Sequence, residues 1–107
     1  MPSPITYFEV CGPDAAALRT FYASVFDWTI DAAGITQEST GGVRGGFRQD
    51  PAETLLYLAV PSIEATLSQV QAAGGATVMP RTVIPGVVTF AVFTDPAGNR
   101  MGLVERG

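Results

Sequence analysis

Polar and apolar residues alternate from Ile5 to Val10, ITYFEV, and β-formers dominate, which predicts a strand. Gly12 and Pro13 break the pattern, and Asp14 stands where a helix start takes an N-cap or a first-turn acid. Leu18, Phe21, Tyr22 and Val25 then recur with the spacing of an amphipathic helix packed on a core. That helix is expected to end near Phe26, with Asp27 as a left-handed cap. WTI, ITQES and VRGGF read as short strands over residues 28–50, and Gly34, Gly41, Gly42, Gly45 and Gly46 as their turns and bulges.

The same opening then recurs. LLYLAV is a strand, Ser62 caps a helix with Ile63, Leu67 and Val70 on its apolar face, and Gly74-Gly75 ends it. ATVM is a strand and Pro80 to Gly86 a loop. VVTFAVF and MGLVE form a last hairpin, whose turn has Asp95-Pro96 at its start and Gly98 free to take positive φ. Ile5 aligns with Leu55, Tyr7 with Tyr57, Phe8 with Leu58 and Val10 with Val60. Each half thus reads β-α-β-β-β, a repeat in which neither half buries its face alone. The expectation is an α+β fold in a single domain, with modules at about 4–50 and 54–106. Alternation puts Tyr7 and Glu9 on one face of the first strand and Phe8 and Val10 on the other. In the repeat Tyr57 and Ala59 oppose Leu56, Leu58 and Val60. The helices are expected to cover the more apolar sets, leaving the tyrosines and Glu9 on the concave side of a cup-shaped mixed sheet, where small molecules bind.

Composition narrows the chemistry. The chain of 107 residues has no histidine, which removes the usual neutral-pH base, the commonest metal ligand and any Ser-His-Asp or Cys-His nucleophile. The lone Cys11 forms no disulfide within the chain and reads as a small, partly buried thiol in a reducing compartment. All six basic residues are arginines, scattered along a chain of net charge −4, which argues against nucleic acid and anionic membranes. There is no signal peptide or apolar run of membrane length, so a cytoplasmic location is expected.

The strand ITYFEV with the helix ending FYASVFDW, the pair LLYLAVPSIEATLSQVQAAGG, and the ending AVFTDPAGNRMGLVE lie in an order and spacing that resemble the vicinal oxygen chelate superfamily. That superfamily includes glyoxalases, bleomycin-resistance proteins and extradiol dioxygenases. The ending is similar to that of predicted enzymes related to lactoylglutathione lyase. The resemblance implies two β-α-β-β-β modules around a cup, in homodimers, with two metal ligands from each module in metal-dependent members. It puts those ligands at Tyr7, in the region Val43–Arg48, near Leu55 and, for a glutamate, at Gly102. None of these offers an imidazole or carboxylate, so no cofactor is expected, with a divalent metal held by Glu9 and Tyr7 as the minor alternative.

The candidate ligand-binding residues are therefore Tyr7, Leu55, Tyr57, Phe90, Gly102 and Arg44, with Arg48 and Arg81 as further anion contacts. Gly102 either opens the floor of the cup to a bulky ligand or yields to packing against Tyr7. Trp28 and Phe47 read as core or dimer interface. Three functions follow. The first is a metal-independent small-molecule binding protein of the glyoxalase/bleomycin-resistance type. The second is a lyase, isomerase or dioxygenase-like enzyme, with Glu9 as base and Tyr7 or Tyr57 as proton donor. The third is an interaction module with a closed cup. Exposed edge strands in so small a chain favour a homodimer.

Overall fold

The computed structural model describes residues 2–106 and divides the chain into two compact units, Thr6–Leu56 and the remainder. The fold is α+β, with eight strands and three helices among the described residues. Among them, no helix is long and apolar enough to cross a membrane.

The first unit holds β1 (Ile5–Gly12, from Thr6), α1 (Ala15–Phe26), β2 (Ile30–Asp31), β3 (Gly34–Ile35), α2 (Gln37–Thr40) and β4 (Arg44–Gln49). Its strands lie in the order β2-β3-β4-β1, with β4 parallel to β1 and antiparallel to β3. The expected cap opens α1: Asp14 accepts from the Ala17 N–H at 3.1 Å. Asp27 closes it in the left-handed region, φ 58. The apolar stripe is only partly covered. Leu18 and Tyr22 turn inward, whereas Phe21 and Val25 remain 51% and 57% exposed. Leu18 packs on Gly12, where any Cβ would press on its side chain.

Two expectations fail in this unit. The ITQES segment is not a strand, because Thr36 caps a short helix and its side chain pairs with that of Ser39 at 2.9 Å. Gln37 to Thr40 carry no apolar alternation that a strand could bury. Gly45 and Gly46 are not turn residues either. They lie inside β4 because aromatic side chains of β1 cross them, Phe8 over Gly45 and Tyr7 over Gly46.

The second unit takes up β5 (Glu53–Val60) from Tyr57 onward, then α3 (Ile63–Ala72), β6 (Ala76–Ile84), β7 (Val88–Thr94) and β8 (Arg100–Glu105). Its order β5-β8-β7-β6 repeats the first unit's topology: opening strand parallel to the last, which is antiparallel to the one before. Pro4 belongs to this unit because its carbonyl accepts from the Ala59 N–H at 2.9 Å. The helix side is apolar, as alternation requires. Val60, Ile63, Leu67, Ala91 and Leu103 form the core, with Leu58 and Phe93 against it.

Ser62 caps α3 through the Ala65 N–H at 3.2 Å. Glu105, at the end of β8, accepts from the Ile63 N–H at 2.9 Å, a carboxylate on the positive end of the helix. The expected loop from Pro80 to Gly86 is a correction. β6 runs through Pro80 to Ile84, with its register to β7 shifting between Thr77 and Met79 and between Met79 and Thr82. An edge strand tolerates a residue without an N–H at such irregularities. Only a tight turn remains, with Pro85 and Gly86 (φ 74) at its centre and Val87 N–H donating to Ile84 at 3.0 Å. The last hairpin turn forms as read, Gly98 at φ 90 and its N–H donating to Asp95 at 2.9 Å.

Candidate functional site

In the first unit, strand alternation gathers a polar face. Tyr7, Glu9 and Cys11 share one side of β1, and the parallel register sets Arg44 beside Tyr7, Gly46 beside Glu9 and Arg48 beside Cys11. Tyr7 leans along the strand until its hydroxyl lies over Gly46, in space a Cβ would fill. Burial pushes its pKa above the ordinary tyrosine value; the Glu9 carboxylate adds to the rise and the Arg44 guanidinium opposes it. The hydroxyl is therefore protonated at neutral pH. Arg48 stands 2.9 Å from Glu9 and 3.2 Å from Asp50, so one guanidinium serves two carboxylates. Cys11 is buried, and its thiol pKa is raised chiefly by that burial, which makes it a poor nucleophile.

The opposite face of β1 packs aromatically. Phe8 meets Trp28 edge-on at 5.8 Å, and Tyr22 stacks on Trp28 at 5.2 Å and approaches Phe47 at 5.8 Å. Arg19 sits 6.0 Å over the Phe47 ring. Trp28 and Phe47 thus belong to the packing of α1, away from the Tyr7 face.

In the second unit, the equivalent face carries Tyr57, Gly102, Val92 and Phe90, placed together by the registers Tyr57↔Gly102, Val92↔Gly102 and Phe90↔Val104. The Tyr57 ring lies against Gly102, where any Cβ would overlap it. Gly102 therefore makes room for Tyr57, neither for a ligand nor for Tyr7. Tyr57 is only 6% exposed, while Phe90 keeps partly accessible surface; Leu55, on the part of β5 that belongs to the first unit, is fully buried at 0%. Arg81 binds Glu105 at 2.7 Å, in a pair that secures the start of α3.

Sequence reading missed the two seats. Gly46 under Tyr7 and Gly102 under Tyr57 are the same device in both units, the opening strand's tyrosine resting on a glycine of its parallel neighbour. The signal was present as a tyrosine and a glycine in each half, but the pairing register is what joins them.

A divalent metal does not fit these residues. Of the positions the superfamily resemblance assigns to ligands, Tyr7 offers a protonated phenol, Leu55 is apolar and Gly102 lies beneath a ring. Glu9, the acid beside Tyr7 on this face of β1, is held by Arg48. Among the described residues no three His, Cys, Asp or Glu side chains come together as a metal group.

Residues 8–104 match the family described as glyoxalase-like domain, and the chain belongs to that family, within the vicinal oxygen chelate superfamily. Among curated proteins, it is 28% identical to anthracycline biosynthesis protein DnrV of Streptomyces peucetius and 27% to DauV of Streptomyces sp. strain C5. Each match covers 99% of this chain and 48% of the relative, so the chain spans about half the length of these curated relatives. A hypothetical protein from Bacillus halodurans C-125 shares the fold with a TM-score of 0.70 at 10% identity, over 100% of this chain and 96% of that one. Methylmalonyl-CoA epimerase of Streptomyces coelicolor gives 0.65 at 11%, over 100% and 99%. A glyoxalase/bleomycin resistance protein/dioxygenase superfamily member from Vibrio splendidus 12B01 gives 0.66 at 12%, over 97% and 98%.

Proposed function

We propose that this glyoxalase-like domain binds a small organic molecule without a metal, and that the Tyr7 face of β1 and β4 receives it. The observation that carries this reading is the tyrosine-on-glycine seat in each unit. Tyr7, Leu55 and Gly102, none of which offers an imidazole or a carboxylate, occupy positions the superfamily resemblance assigns to metal ligands, while Tyr7, Glu9 and Arg44 present hydrogen-bonding groups on a strand face. On the equivalent face of the second unit, Phe90 keeps partly accessible apolar surface. The likeness to two anthracycline biosynthesis proteins supports an aromatic, oxygen-rich ligand. The Glu9–Arg48 pair favours binding over base catalysis, because the carboxylate that would accept a proton is already matched by a guanidinium. A homodimer remains part of this reading, supported by the apolar side chains exposed on α1 and β6.

A thermal-shift screen of the full chain against aromatic polyketide-like compounds tests it. A ligand at about a hundredfold its Kd adds about 2.7 kcal/mol of stability, and the same shift is expected after dialysis against EDTA. A shift that needs an added metal, or no shift with any compound, overturns the reading. Turnover that disappears in Glu9→Gln would favour the enzyme instead.

A further inference from the structure

The Tyr7 face treats its two arginines differently. Arg48 is engaged by Glu9 at 2.9 Å and Asp50 at 3.2 Å. Arg44 is exposed, and among the described residues no carboxylate pairs with it. Its backbone lies directly across the ladder from Tyr7, and alternation along β4 puts it on the same side as Gly46 and Arg48. In a chain of net charge −4, this is a cation left unmatched at the rim of a polar face.

We infer that the molecule bound at this face carries an anionic oxygen, a carboxylate or an acidic phenolate, and that Arg44 holds it beside the Tyr7 hydroxyl. The inference rests on the small-molecule reading above and adds the charge of the ligand. A guanidinium suits such a group because its planar N–H fork matches two oxygens at once. Tyr7 does not oppose an anion, since its protonated hydroxyl brings no negative charge to the spot. Glu9 is the group that would oppose it. Glu9 is paired with Gly46, over which the Tyr7 hydroxyl lies, but Arg48 stands 2.9 Å from it and offsets its charge.

The test uses matched probes that differ in charge and little in shape: salicylate against salicylamide, naphthoate against naphthamide, and anthraquinone carboxylate against its amide. Each is titrated into the full chain and into Arg44→Gln, Arg44→Lys and Arg106→Gln, with stability and binding both followed. The expected result is an acid that binds about tenfold to a hundredfold tighter than its amide, the worth of a charge-assisted hydrogen bond. Arg44→Gln removes that preference, Arg44→Lys keeps part of it, and Arg106→Gln leaves it intact. Amides that bind as tightly as acids, or acids indifferent to Arg44→Gln, overturn the inference and leave the small-molecule reading standing. If no acid or amide binds at all, both fall together. Because Arg44 is exposed, its variants should melt with the unliganded wild type, which separates lost binding from lost folding.

Discussion

Tyr57 and Gly102 form a matched pair, a ring on a backbone that has no side chain beneath it. Gly102→Ala forces the two apart and should cost about 1–3 kcal/mol, the usual penalty of overpacking. The cost should shrink in a Tyr57→Ala background, and chemical denaturation of the four proteins in that cycle measures the coupling. At Tyr7 the sign of a pH effect is fixed by burial. Its folded pKa lies above the unfolded one, so its contribution to stability is present below the ordinary tyrosine value, about 10, and fades as pH climbs through the folded value. Absorbance titration of wild type against Tyr7→Phe should find one phenol that ionises late. The candidate residues themselves were legible, because alternation alone put Tyr7 with Glu9 and Tyr57 opposite Leu58. The partners were not. That Glu9 meets Arg48, or that Gly46 carries Tyr7, depends on how two distant strands are aligned, and neither strand encodes that by itself.

Local signals fixed the element starts and failed where tertiary contacts decide. Ser62 caps its helix as read, and Asp14, open between N-cap and first-turn acid, is the N-cap, because capping needs only a short side chain and an N–H three residues on. Ser62→Ala should therefore cost about 1 kcal/mol in a melting experiment. The extension of β6 through Pro80 could not be read locally, since it depends on an edge position and on irregular pairing with β7. Glu105 supplies a second anchor for α3. Its pKa is lowered first by the hydrogen bond from Arg81 and then by the Ile63 N–H. A depressed carboxylate stabilises above its unfolded value, about 4.3 for glutamate, and loses that contribution as pH falls through the folded value. Glu105→Gln should melt below wild type at neutral pH, and the gap should close as the melts are repeated toward acid.

For the molecule as a whole, the duplicated topology was visible in sequence as a repeated opening strand and helix, and both units carry it. The superfamily was legible for the same reason. Light scattering across micromolar concentrations should find a dimer, and a monomer throughout would remove the second copy from the proposal. The ring on Gly102 has a further consequence for redesign. Any side chain grafted at that position arrives in space the tyrosine already fills. The tyrosine would have to be cut back in the same step, since either change alone loses packing. A new ligating group there is a two-residue exchange, never a single one.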